Sequence, residues 1–193
     1  MKRIGPLDGK ERELLTKIRK LLSRTRHIAS KKITSLDKGL NALSELRKEV
    51  YEELNQLQHA ALILASARWP EKEVLHGSSA EWQWHPHQTG GINEPDLRCK
   101  HGAGVIVAEA TASDSPQGLL DARMAATLKK LHYMKGQRYY FVRTEAMRRR
   151  AETKITKAGW RIQVVMLSHS RTGPEGVLID KANVTNQKPR AAG

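Results

Sequence analysis

The chain has 193 residues, a formal net charge of +14 and a pI near 10.1. That length holds one ordinary domain plus an appendage, or two small ones. The charge points to an anionic partner. Nucleic acid is the common one, because phosphate contacts by Lys and Arg release counterions; an anionic membrane and a ribosomal surface are the rivals. The longest apolar runs, such as AALILASA at 60–67, fall far short of the roughly 18 residues a membrane span needs, so no membrane association is expected. The opening stretch MKRIGPLDGKERE has basic residues without the apolar run of a secretory signal. One cysteine excludes an internal disulfide framework and suits a reducing cytoplasm.

Residues 10–30 read as a helix, with Leu14, Ile18, Leu21 and Ile28 at helical spacing. The next segment steps by four and three through Leu36, Leu40, Leu43, Arg47, Val50, Leu54, Leu57, Ala61 and Leu64, a coiled-coil seam broken only by Arg47. It is expected to close on the first helix as a hairpin, pair with a second copy, or pack on a partner, and to end at Trp69-Pro70 because a residue before proline leaves the helical region. Residues 1–38 hold 12 Lys/Arg against 4 Asp/Glu, and 39–69 hold 3 against 4. The first helix and its turn therefore carry the basic charge. Arg24, Arg26, Lys31 and Lys32 are candidate phosphate contacts, with a solvated helix face as the plain alternative.

From residue 71 the pattern changes. EWQWHPHQ alternates like a half-buried strand, Gly90-Gly91 turns the chain, 95–100 reads as a second strand, and 105–111 as a central third. A helix is expected from about residue 117 to 134, buried through Leu120, Met124, Leu128 and Leu131; a strand over 137–144, a helix over 145–158 stopped by Gly159, and a fifth strand over 161–167 follow. Three sequential strands followed by alternating helix and strand imply a mixed sheet, antiparallel on one side and parallel where crossovers lie. The organisation expected is a helical region 1–69, a core over 70–182, and a polar, mobile tail over 183–193.

The chemistry concentrates in EPDLRCKHGAGVIVAEATAS, residues 94–113. Glu109 ends an apolar strand, and burying an unpaired carboxylate costs several kcal/mol, of order, unless a cation or donors meet it. Asp96 lies on the preceding strand of the same hairpin. Two carboxylates set opposite one another would suit Mg²⁺, which binds through one or two carboxylates, waters and a phosphate. A metal so held would acidify water and stabilise charge on an attacked phosphodiester.

Pro95-Asp96, twelve residues, then Glu109-Ala110-Thr111, within a strand-strand-strand-helix-strand order, resembles the PD-(D/E)xK nuclease superfamily, which includes many type II restriction endonucleases. The resemblance covers about residues 71–167 and implies an α/β (α+β) fold with a restriction-endonuclease-like mixed five-stranded sheet flanked by helices. It also implies Asp96 and Glu109 as metal ligands and a lysine where this chain has Thr111. A threonine brings no positive charge. Either a base from the following helix takes that place, with Lys130 the first candidate and Arg123 the second, or the domain binds without cutting.

The expectation is a Mg²⁺-dependent endonuclease of double-stranded DNA, restriction-type and working as a homodimer, since cutting both strands takes two sites. Alternatives are a structure-selective repair or recombination nuclease and an inactive nucleic-acid-binding or assembly protein. His85, Gln88 and Asn93 are candidates for reading base edges, and Arg148, with Arg149 and Arg150 beside it, for a phosphate contact. His85, His87, Cys99 and His101 form an HxH and a CxH pair whose loose spacing offers zinc as a further alternative.

Overall fold

The structure, a computed structural model, describes residues 1–76, 80–85, 94–102 and 104–167. The expectations placed on Gly90-Gly91, His87, Gln88, Asn93 and the tail over 183–193 lie outside the described residues. The elements are β1 (Lys2–Arg3), α1 (Leu7–Ala29), α2 (Leu36–Glu73), β2 (Glu81–Trp84), β3 (Leu97–His101), β4 (Gly104–Thr111), α3 (Leu119–Tyr133), β5 (Gln137–Val142), α4 (Glu145–Ala158) and β6 (Gln163–Met166). They make a mixed α/β architecture with an open sheet in the order β1-β2-β3-β4-β5-β6.

β1 to β4 pair antiparallel, and β4-β5 and β5-β6 pair parallel. Because the parallel strands add in one direction, two crossovers of the same hand put α3 and α4 on one face. There Val107, Tyr140 and Val142 pack with Met124, Leu128 and Leu131 of α3 and Met147, Ala151 and Ile155 of α4. The opposite face, with Leu97, Cys99, Ile106, Ala108, Tyr139 and Phe141, is covered by Leu62, Ile63, Leu64 and Ala67 of α2. β4 is buried on both faces, which is why its sequence reads as a continuous apolar run. The three layers follow from this two-sided demand.

Four sequence expectations are corrected. The sheet has six strands rather than five: Lys2–Arg3 adds to the free edge of β2, held by Ile4 N–H donating to the Trp82 carbonyl at 2.8 Å and by Arg3 on Glu81 at 2.6 Å. Trp69-Pro70 does not end the second helix. Pro70 is buried, Trp69 lies on Tyr139 and Phe141 with ring centroids 5.5 and 5.9 Å apart, and the helix closes one turn later with the Val74 and Leu75 N–H groups donating to the Pro70 carbonyl. Packing there outweighs the single N–H that proline lacks. The sheet core also crosses the boundary expected at 69/70, since α2 supplies much of it.

The fourth correction concerns the leucine seam. α1 and α2 do form a hairpin, tied by Arg24 to Glu53, Lys31 to Glu45, and Arg68 to Asp8 and Glu11 at 2.5 and 2.6 Å. However, the seam positions Leu36, Leu40, Leu43 and Leu54 are exposed and Val50 is half-buried, while Ala42 and Leu46, off the seam, are half-buried against α1. The seam is fully buried first at Leu57. A 3.5-residue repeat on a straight helix of 3.6 residues per turn drifts around it, so one stripe is solvent-facing at one end and core at the other.

Two glycines are required by geometry. Gly159 caps α4 in the left-handed region at φ 66°. Gly136, at φ 116° between α3 and β5, passes so close to the Val105 carbonyl that a Cβ would meet its oxygen at 2.4 Å. Only glycine fits that crossing.

Candidate active site

β3 and β4 pair Leu97 with Ala108, so the residues one step further out, Asp96 and Glu109, stand opposite each other. Asp96 Oδ2 accepts from the Ala110 N–H at 2.9 Å, and the Asp96 carbonyl accepts from the His85 N–H at 2.9 Å. The hairpin thereby fixes the first carboxylate from both neighbouring strands. Glu109 is 4% exposed, on the face covered by α3.

Lys130 comes down from α3, and its Nζ lies 2.5 Å from Glu109 Oε1 and 3.1 Å from the Glu94 carbonyl, to which it donates. It lies between Leu128 and Leu131 in sequence and about 100° round the helix from Leu131, at the border of that buried stripe. Arg123 is exposed, and no described residue forms an ion pair with it; seven residues along the helix from Lys130, it is about 10 Å away along the axis. The structure brings Lys130 to the acid pair and leaves Arg123 outside.

Thr111 does not face an open site. Its hydroxyl is 2.8 Å from the Tyr140 hydroxyl, the register partner of Glu109 on β5 being Tyr140 itself. Burial pushes the Tyr140 hydroxyl up to about 12; the Thr111 hydrogen bond pulls the other way, while the Glu109 and Asp96 charges add to the rise. The phenol stays protonated and closes the back of the site.

His59 of α2 was not singled out by sequence. It is 3% exposed, its Nε2 lies 3.9 Å from Asp96 Oδ1, and neither ring nitrogen has a hydrogen-bond partner among the described residues. Burial lowers its pKa, with the Asp96 charge opposing, so the imidazole is neutral. A histidine at the head of the apolar run HAALILASA was the available signal. The acid pair is thus reached from both faces of the sheet, by α2 through His59 and by α3 through Lys130.

The electrostatics favour a cation. Burial first, and the Asp96 charge second, push the Glu109 carboxyl up to about 8, with Lys130 opposing. Glu109 and the neighbouring Asp96 carboxylate form a hard oxygen donor set, of the kind a divalent cation takes. Among the described residues no group of three or more His, Cys, Asp or Glu side chains is arranged to hold a metal ion. A cation at this pair would find two protein carboxylates and would take the rest of its shell from water or phosphate.

The other candidates lie elsewhere. Arg24 and Lys31 are tied to acids of α2, Arg26 and Lys32 are exposed on the hairpin, and Arg148 is held by Glu145 at 2.8 Å. His85 pairs with Glu94 beside the site. Cys99 is fully buried and burial pushes its thiol up to about 11, so it points into the core rather than toward a metal.

No family model matches the chain, and neither a curated protein nor a solved structure matches it. The described residues define a mixed α/β protein with four helices, a six-stranded open sheet and, beside a lysine, the buried Glu109 opposite the half-buried Asp96.

Proposed function

We propose that this chain is a Mg²⁺-dependent DNA endonuclease of the PD-(D/E)xK type. The observation that carries the reading is the convergence of Asp96, Glu109 and Lys130 from two adjacent strands and the helix after them. The order α2-β2-β3-β4-α3-β5, with an antiparallel half and a parallel half, supports the restriction-endonuclease-like form of the fold.

Asp96 and Glu109 would hold the Mg²⁺, which when bound supplies positive charge at the phosphate and lowers the pKa of water there. The Lys130 ammonium, held beside Glu109 and the Glu94 carbonyl, would neutralise charge on the phosphate under attack. Tyr140 and Thr111 exclude solvent behind Glu109. The chain's net charge of +14 supports a polyanionic substrate. For duplex cutting two copies supply the two sites, and the exposed leucines of α2 offer a surface for that pairing.

The test is plasmid DNA incubated with Mg²⁺ and wild-type protein, Asp96→Ala or Glu109→Ala. Cutting by wild type alone is the expected result. If wild type leaves several DNAs intact across Mg²⁺ and Mn²⁺, the nuclease reading fails and a binding or assembly role is the better account.

A further inference from the structure

A cleft of about 510 Å³ opens beside the acid pair, lined by Gln83, Glu94, Arg98, Lys130, Tyr133 and Lys135 among others. Arg98 is on β3, two residues from Asp96, so its Cα is roughly 6.6 Å further along the strand. It pairs in register with Gln83 and Val107, on the same side of the sheet as Glu109. Its Nε is buried and has no acceptor among the described residues. A buried guanidinium donor without an acceptor calls for an external one. Lys135, also lining the cleft, is exposed, and no described acid pairs with it.

Tyr133 is 73% exposed at the end of α3, against the side of His132 at 5.1 Å. An exposed ring beside unpaired cations is the combination that binds a single strand, because bases stack on the ring while cations follow the phosphates. The size of the space argues the same way. About 510 Å³ is the volume of a small-ligand site, enough for a nucleotide or two.

We propose that this cleft binds one strand of nucleic acid separated from its complement, with Arg98 and Lys135 on phosphates, a base stacked on Tyr133, and the next phosphate delivered to Lys130. The inference rests on the nuclease reading of the acid pair and deepens it. It adds that a strand opened at the site, in a flap, a branch or a frayed duplex, is held more tightly than a closed duplex.

The test uses the full-length protein in EDTA, so that binding is read without hydrolysis, and fluorescence anisotropy with a fluorescein-labelled 15-nucleotide dT strand and a duplex of equal length. The expected result is tighter binding of the single strand by about ten-fold, a loss of roughly ten-fold for Tyr133→Ala on the single strand only, and a shallower salt dependence, by about 0.7 in slope, for Lys135→Gln. Both side chains are exposed, so the fold tolerates the changes, and an unchanged melting temperature verifies it. Equal or tighter duplex binding, or variants that bind the single strand as wild type does, overturns the inference. Cutting is scored separately. Wild-type cutting that needs Asp96 but is indifferent to Tyr133 and Lys135 would leave the nuclease reading and remove the cleft; strand binding that needs Tyr133 without cutting by any metal would do the reverse.

Discussion

Lys130 Nζ lies 2.5 Å from Glu109 Oε1, although one residue is on α3 and the other on β4, and only 26% and 6% of their side chains are exposed. The strand position two residues beyond Glu109 is Thr111, whose hydroxyl is committed to Tyr140. The cation beside the acid pair therefore comes from the helix above the strand. Removing it is expected to cost what loss of one preorganised charge donor costs elsewhere, about 10²–10³ in rate. Lys130→Ala should lower plasmid cutting in Mg²⁺ by that factor, and adding Thr111→Lys should restore part of it, because a lysine there starts from the same face of β4 as Glu109. A Lys130→Ala variant that cuts as fast as wild type would remove Lys130 from the mechanism.

Glu109 also sets a pH dependence. Its folded-state pKa, about 8, lies above its ordinary value of 4.5, so between those values the folded chain holds a proton that the unfolded chain has lost. Stability from this group is therefore fully present below about pH 4.5 and is lost as pH rises through about 8. In EDTA, the melting temperature should fall over that window more for wild type than for Glu109→Gln, which carries no titrating carboxyl. Identical profiles would show that Glu109 is not held protonated by its surroundings.

The fold was legible where one periodicity fixed one face. The two-residue repeat of 105–111 puts Glu109 and Thr111 together, and the stripe through Met124, Leu128 and Leu131 fixes Lys130 beside the sheet; both are local rules. Pro70, His59 and the leucine seam were not legible for a common reason. Periodicity says which residues share a side, and says nothing about what lies against that side. The same spacing serves Leu40 in solvent and Leu64 in the core. Nor did it reveal that α2 slides under β3 and β4, bringing His59 to Asp96 across 37 residues of sequence.

His59 provides a third test. A buried imidazole with both nitrogens unpartnered costs about 1–3 kcal/mol relative to a satisfied or apolar group. His59→Leu should raise the melting temperature of the metal-free protein, or leave it unchanged, while lowering Mg²⁺-dependent cutting because Asp96 loses the imidazole that lies 3.9 Å from its Oδ1. Calorimetry and the plasmid assay on one preparation read both effects. A fall in stability without a change in cutting would make His59 a packing residue.

The hairpin offers the last test, because its exposed apolar surface is on helices whose fold does not need it. Leu36, Leu40 and Leu43 are 77, 55 and 63% exposed, and a contiguous patch of this kind on a monomer marks an association surface. Leu15 and Leu22 of α1, 45 and 61% exposed, lie about 100° round their helix from the buried Leu14-Leu21 line. By the same wheel the α2 leucines lie a similar angle from Ala42 and Leu46, on the same side of the antiparallel pair. The Arg24-Glu53 and Lys31-Glu45 pairs set Leu22 level with Leu54, 41% exposed, and put Leu36, Leu40 and Leu43 toward the turn, so the exposed apolar positions follow one another along one side of the hairpin, where a second hairpin would complete a four-helix bundle. The double variant Leu40→Glu/Leu43→Glu should therefore shift the protein from dimer to monomer in light scattering at micromolar concentration, with its unfolding free energy, measured at a concentration where wild type is already monomeric, within about 1 kcal/mol of wild type. A wild-type protein that is monomeric throughout would assign the leucine face to another partner, and duplex cutting would then need two separate encounters per break.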